Sequence, residues 1–330
     1  VDFSWSYGQD HADFKKLYDA AKRSQWDGAT QLDWSTSVDP ADSEHDLVPD
    51  EFFPVRALPS FHRLTPKQQA EQKRSYMSWI LSQFLHGEQG ALFAATQVTQ
   101  AVPWFEGKLY GATQVVDEAR HLEVFHRYLT TKLEKKYDID DNLYVIIDAL
   151  MTDARFDIKF LGMQIMIEGL ALGAFGTFRA TTREPLLKEL LKYVITDEAR
   201  HVHYGVLALR EHNVSLSERE RRDREDWAFE LTLLMRNRFL LHEFHDEFYG
   251  HIMSRRQWDH WVMSQPLMDY FRKSMFERII PNLKRIGLLS ARVQPFYEEI
   301  GLWQFESGKA APDLTAADLL AEKPSLRATG

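Results

Sequence analysis

The sequence predicts an all-α fold, a four-helix bundle extended by helices at both ends. Three features carry that expectation. Asp117-Glu118-Ala119-Arg120-His121 returns 80 residues later as Asp197-Glu198-Ala199-Arg200-His201. Each copy has a further glutamate 30 residues before its own, Glu88 and Glu168. Chain breaks at Pro103-Trp104 with Gly107, and at Arg183-Glu184-Pro185, fall midway between the glutamates of each pair. At ~1.5 Å rise per residue each glutamate lies roughly 22 Å from its turn, so two helical hairpins bring four glutamates to one height.

The elements follow in order. Residues 9–25 read as a helix with Phe14, Leu17, Tyr18 and Ala21 on one face. Residues 26–64 hold Trp26, Trp34, Pro40, Pro54 and Pro59 without periodicity, and read as a segment wrapped over the bundle. These make residues 1–65 an N-terminal helix and wrap. Thr65 as N-cap and Pro66 in the first turn open a helix over about 66–101. Helices are expected over about 106–135, 152–181 and 185–212, with a connection over 136–151 that holds a short helix of its own. Residues 66–212 are thus the bundle. Ser215-Leu216-Ser217-Glu218 opens a charged helix that turns apolar from Trp227 to Tyr249. A helix over about 264–287 carries the stripe Met268, Phe271, Met275, Ile279 and Ile280. Residues 213–306 are read as accessory helices of the same domain. Residues 307–330 are expected to be a mobile tail with at most a short helix over 313–321.

Composition narrows the function. The 330 residues are 44% apolar and 13% aromatic, ordinary for a globular protein with a large core. A net charge of −9 and the lack of any Lys/Arg-rich run argue against nucleic acid as partner. There is no cysteine, which excludes disulfides, thiolate metal sites, iron–sulfur clusters and cysteine nucleophiles. The start, Val1-Asp2-Phe3-Ser4-Trp5, lacks the basic and apolar regions of a signal peptide, and a cytoplasmic location is expected. The 19 residues from Phe160 to Phe178 are long and apolar enough to span a bilayer. Glu168 at their middle is costly in lipid, so a buried bundle helix is expected instead, with no membrane.

Residues i and i+3 share a helix face. Glu118 therefore points with His121, and Glu198 with His201. One Glu-x-x-His occurs often by chance on surface helices; two copies, each with a glutamate at the same upstream spacing, do not. Glu168 lies in Ile165-Met166-Ile167-Glu168-Gly169-Leu170, where an unpaired carboxylate would be heavily penalised. Two divalent ions neutralise four carboxylates, and mixed carboxylate–imidazole ligation without sulfur suits iron or manganese better than zinc.

Over residues 66–212 this pattern resembles the ferritin-like di-iron carboxylate superfamily, its oxygenase and desaturase branches most of all. The resemblance implies that Glu88, Glu118 and His121 hold one iron and Glu168, Glu198 and His201 the other, with Glu118 and Glu198 as bridges. Asp117 and Asp197 would accept from the other ring nitrogens of the histidines, across to the opposite motif; the alternative is an i,i+3 ion pair with Arg120 and Arg200. For the two arginines both readings stand. The three best-known subfamilies are not matched in detail. Phe125 stands where radical-forming small subunits carry tyrosine, Leu172 where multicomponent hydroxylases carry threonine, and Val194 where N-oxygenases carry an extra histidine.

Helix neighbours of the ligands are candidate substrate-pocket residues: Phe84, Ala91, Leu92, Gln114, Gln164, Leu172, Phe175 and Val194. They are mostly apolar and suit an apolar or aromatic small molecule; ordinary core packing is the alternative for each. Gly169, Gly173 and Gly176 each cost about 1 kcal/mol relative to Ala inside a helix, which points to close helix packing, a π-bulge or room for substrate. The resemblance implies an enzyme that uses two iron ions, or a Mn/Fe pair, with O2 as co-substrate to oxidise or oxygenate its substrate. It implies an external electron donor, a ferredoxin or reductase, and by analogy a homodimer. The alternatives are a metal oxidase like the ribonucleotide reductase small subunit, a ferroxidase or iron-storage protein, and a structural subunit of an oxygenase. His86, His126, His203, His242 and His245 lack a matching motif and are read as hydrogen-bonding residues.

Overall fold

The computed structural model describes residues 10–321 apart from Asn237, together with Phe3, Trp5 and Tyr7. Among the described residues every regular element is helical. Helix α1 (Ala12–Arg23) packs against the helices over Phe105–Tyr128 and Pro185–Asn213 and buries Phe14, Leu17 and Ala21. The chain then wraps the bundle in short turns, pinned by Trp26, Phe53, Val55 and Phe61. Helix α2 (Pro66–Ala101) starts on a capping box in which Thr65 and Gln68 satisfy each other's backbone N–H groups. Helix α3 (Phe105–Tyr128) runs back along it and ends in a π-turn over Leu129–Leu133. Helix α4 (Asp141–Thr152), capped by Asp140, fills the expected connection.

The third bundle helix differs from a plain α-helix. It begins as α5 (Phe156–Phe160), is π-wound over Leu161–Ile167, and continues as α6 (Glu168–Thr181). The wide π-turns end at Glu168, so the winding that sets the direction of this carboxylate changes at that residue. The apolar stretch over Phe156–Thr181 is core: 94% of its most apolar window is buried inside the protein. Helix α7 (Pro185–Asn213) completes the bundle, its first turn capped by Glu184, which also accepts from the Tyr128 hydroxyl at 2.6 Å.

Helix α8 (Glu218–Arg236) stops earlier than the apolar run to Tyr249 predicts. Leu241 adopts a left-handed φ of 57° and α9 (His242–Phe248) begins after it. Helix α10 (Arg255–Ser264) has no counterpart in the sequence reading; it opens on a Ser254–Gln257 capping box. Helix α11 (Pro266–Arg285) lies along α6 through the predicted stripe. Helices α12 (Gln294–Glu299) and α13 (Ala316–Leu320) follow. The expected mobile tail is docked as far as Ala321. The Ala311 N–H donates to Asn282 at 2.8 Å, and Arg179 donates to the Leu320 carbonyl at 3.0 Å. Residues 322–330 lie outside the described residues.

The glycines of α6 have separate reasons. A Cβ at Gly173 would lie 2.6 Å from the Ser274 carbonyl oxygen and 2.7 Å from the Met275 Cα, so this residue lets α11 approach. A Cβ at Gly176 would meet nothing within 4 Å. Gly173→Ala is therefore expected to destabilise the protein by about 1–3 kcal/mol through overpacking against backbone. Gly176→Ala is expected to stabilise it by up to about 1 kcal/mol through helix propensity. Paired denaturant melts check both, and equal shifts would contradict the assignment.

Candidate metal centre

Helices α2, α3, α6 and α7 each send an acid into the bundle axis. Glu88, Glu118, Glu168 and Glu198 are all buried, as are His121 and His201. Atoms of Glu88, Glu118, His121 and Glu198 lie within 4.8 Å of one another, and so do atoms of Glu118, Glu168 and His201. The two groups share a wall. Glu118 faces His121 Nδ1 at 3.5 Å with one oxygen and His201 Nδ1 at 3.0 Å with the other. Glu198 does the same, at 3.1 Å from His121 and 3.6 Å from His201. Glu88 approaches His121 Nδ1 at 3.3 Å, and Glu168 approaches His201 Nδ1 at 4.0 Å. Two carboxylates thus face both imidazoles, and the other two face one each.

The histidines are oriented from behind, crosswise between the repeats. His121 Nε2 lies 3.2 Å from Asp197, and His201 Nε2 lies 3.3 Å from Asp117. With the histidines neutral, as metal ligation requires, a proton held on Nε2 by each aspartate would leave the Nδ1 lone pair facing the carboxylate cluster. Arg120 and Arg200 make both contacts left open by the sequence: each pairs with the aspartate three residues before it and reaches the other aspartate, at 3.1 and 3.7 Å respectively.

Several residues of this shell carry no motif. Gln25 donates to Asp117 at 3.0 Å and accepts from Arg120 at 2.9 Å. The Trp26 indole N–H donates to Asp197 at 2.7 Å, and its ring stacks on Tyr193 at 4.8 Å. Gln114, expected in the substrate pocket, instead donates to Glu118 at 3.2 Å and Glu168 at 2.8 Å. Gln164 donates to Gln114 at 3.5 Å. Apart from the i,i+4 contact of Gln114 with Glu118, these contacts join segments far apart in sequence, so local pattern holds no trace of them.

The other pocket candidates divide. Phe84, Ala91 and Phe175 line a small cavity of ≈ 20 Å³ beside Glu88, Glu168 and Glu198, which Arg238 also borders. Phe84 meets Phe175 edge-on at 4.6 Å, and Phe125 lies 5.7 Å from Phe175. Leu92 faces an outer groove between α2 and α3 with Phe93 and Leu122. Leu172 faces a cleft toward α11 and α13 with Tyr270 and Leu319. Val194 is fully buried in the core. Among the five unassigned histidines, His86 bonds the Tyr137 carbonyl, and His242 and His245 bond Asp259 and Asp246.

The electrostatics call for cations. Burial, then repulsion from Glu198 in the first case, pushes Glu88 and Glu168 well above the usual carboxylate range. Burial opposes charge on Glu118 too, but His201 and His121 outweigh it and hold its pKa low. Both histidines are raised: burial disfavours their charge, yet the Asp197 and Glu118 contacts prevail. Even so, one oxygen each of Glu118 and Glu168, both oxygens of Glu198, and His201 Nδ1 have no hydrogen-bond partner. Orphaned, buried and convergent polar atoms of this kind are costly unless a cation takes them up. The donor set, four carboxylates and two imidazoles, fits a pair of iron or manganese ions.

No family profile and no curated protein matches the chain. Among solved structures it is similar to R2-like ligand-binding oxidases. One is a point variant with an anaerobically reconstituted Mn/Fe cofactor: TM-score 0.52, 19% identity, 86% of this chain and 96% of that chain covered. Another, with an aerobically reconstituted Mn/Fe cofactor, has TM-score 0.51 and 19% identity over 86% of this chain and 95% of that chain. At this identity the likeness is one of fold, and the fold is the all-α ferritin-like bundle.

Proposed function

We propose that this chain is a dinuclear-metal oxidoreductase that uses O2 to oxidise or oxygenate an apolar organic substrate. The observation that carries the reading is the pair of shared carboxylates, Glu118 and Glu198, each facing both imidazoles, with one oxygen of Glu118 and both oxygens of Glu198 left without a donor. Glu88, Glu118 and His121 would hold one ion and Glu168, Glu198 and His201 the other. Iron is the first candidate; the Mn/Fe cofactors of the similar oxidases support a mixed pair as the second. When bound, the ions supply reducing equivalents to O2 and oxidising power toward substrate.

The residues of the chain do the rest. Asp197 and Asp117 keep the ring protons on Nε2 and fix the imidazole planes. Phe84 and Phe175, the latter backed by Phe125, keep the cavity beside Glu88 and Glu168 dry and select an apolar substrate. With no cysteine, the chain has no iron–sulfur relay of its own. The reading therefore includes an external reductant. Trp26, stacked on the half-buried Tyr193 and bonded through Asp197 to His121, offers a through-bond contact from that side.

Anaerobic loading with ferrous iron, alone or with manganese, followed by mixing with air tests the reading. About two ions per chain and O2 uptake stoichiometric with them are expected. Accumulation of many irons per chain would favour storage, and no uptake of metal would leave a scaffold.

Metal affinity is also expected to rise with pH. In the metal-free protein the raised pKa values keep protons on Glu88, Glu168, His121 and His201, and these must leave as ions bind. Uptake should tighten as pH rises toward and through neutrality, be lost in acid, and release more than one proton per ion. Titration in a weakly buffered indicator solution measures this; pH-independent uptake would contradict it.

A further inference from the structure

The internal repeat keeps its six ligands but not their neighbours. Four residues before the glutamates stand Phe84, Gln114, Gln164 and Val194. Across the 80-residue offset Gln164 therefore answers to Phe84, and Gln114 to Val194. The two amides meet on one side of the centre. Gln164 Nε2 donates to Gln114 Oε1 at 3.5 Å, and Gln114 Nε2 donates to Glu168 at 2.8 Å and to Glu118 at 3.2 Å. All four side chains are buried. Gln164 is fitted against α7, where a Cβ at Gly205 would lie 2.5 Å from its own Cβ. On the other side, Phe84 and Val194 have no side-chain donor to offer. Among the described residues Glu88 is hydrogen-bonded by the His121 ring alone, at 3.3 Å.

The ligand atoms converge unequally as well. Four residues, Glu88, Glu118, His121 and Glu198, bring atoms within 4.8 Å of one another, whereas the group round His201 is Glu118 and Glu168. Glu168 is the outermost, 4.0 Å from His201 Nδ1. The last torsion of a glutamate is broad, so the plane of its carboxylate is set by what binds it. Gln114 takes Oε1 of Glu168 and leaves Oε2, the atom toward His201, without a donor. The position with fewer converging ligands is thus the one whose two carboxylates share an amide.

We propose that Gln114, backed by Gln164, is a positioning residue for one metal position alone. It fixes Glu168 and Glu118 for the ion beside His201, while the ion beside His121 is held without such a brace. The proposal rests on the dinuclear-metal reading and makes the two positions of that site unequal.

Anaerobic titration of metal-free protein with Mn2+ tests it, followed by calorimetry and by electron paramagnetic resonance of the bound manganese. Gln114→Met keeps the length and helix propensity of the side chain and removes its donors. Wild type is expected to bind about two ions per chain and to show the signal of a coupled pair. Q114M should bind one ion as wild type does and the other about 10–100-fold more weakly, with the signal of an isolated ion at low manganese. Gln164→Met should weaken the same ion by a smaller factor, and it decides the matter should Q114M fail to fold. Double variants locate the effect. Glu168→Ala already lacks the ion beside His201, so adding Q114M should change nothing; in Glu88→Ala it should weaken the one ion that remains. Unchanged affinities in Q114M and Q164M, or equal weakening of both ions, would overturn the proposal. If wild type binds two ions and the variants keep both, only this proposal falls; if wild type binds none, the functional reading falls with it.

Discussion

Replacing Glu118 or Glu198 with alanine empties both metal positions, whereas replacing Glu88 or Glu168 empties one. The difference follows from geometry. Glu118 and Glu198 each face both imidazoles, but Glu88 lies against His121 and Glu168 against His201. Loss of a residue merely supporting a ligand costs about 10–100-fold in metal affinity, and loss of a shared ligand removes a donor from each ion at once. Elemental analysis of desalted protein should read about two ions in wild type, none in the E118A and E198A proteins, and about one in E88A and E168A. Fold effects separate from this. Glu118 is held ionised by its two histidines, so the metal-free E118A protein loses that contribution. Glu168 is a carboxyl that burial keeps from ionising, so metal-free E168A should be no less stable than metal-free wild type. Equal metal loss in all four variants would contradict the division of the ligands.

Removing the metals produces the largest change in stability. A ligand present at a thousandfold excess over its Kd stabilises the state that binds it by about 4.1 kcal/mol. With roughly 2–4 °C of melting temperature per kcal/mol for sizeable domains, each ion contributes a shift on the order of 10 °C. The structural reason is the cluster itself. Six ionisable side chains converge in the core, with four orphaned carboxylate oxygens among them. Calorimetric scans with and without chelator check this. A chelated protein melting with the loaded one would mean that the cluster is satisfied without ions.

Much of the fold was legible because the strongest signals are local. Thr65-Pro66 marks the start of α2 where it is observed, and Glu184-Pro185 marks that of α7. The repeat placed six side chains in one volume, since helices straightened between symmetric turns leave little freedom of height. The π-winding over Leu161–Ile167 was not legible at its position, because that stretch is apolar but for Gln164 and has no phase to read. Helices α10 and α12 are short, and the docked residues up to Ala321 depend on partners on α6 and α11.

The pocket shows where helical spacing runs out. At about 100° per residue, Leu92 and Leu172 are each rotated roughly 40° past the glutamate four residues before them, and both face away from the cavity beside the glutamates, Leu92 toward an outer groove and the buried Leu172 toward α11. Ala91, Phe84 and Phe175, rotated the other way from Glu88 or Glu168, line the cavity. Sequence gives the face but not the hand of the offset, which the neighbouring helices set. Trp26, Gln25 and Arg238 reach the centre from outside the repeat and are visible only once the chain is folded.

Anomalous diffraction from crystals of metal-loaded protein, collected at the iron and manganese edges, tests the central claim most directly. The account predicts two peaks in the bundle axis with Glu118 and Glu198 between them, one beside Glu88 and His121 and the other beside Glu168 and His201. A single peak elsewhere, or none in protein that elemental analysis shows to carry metal, would contradict it.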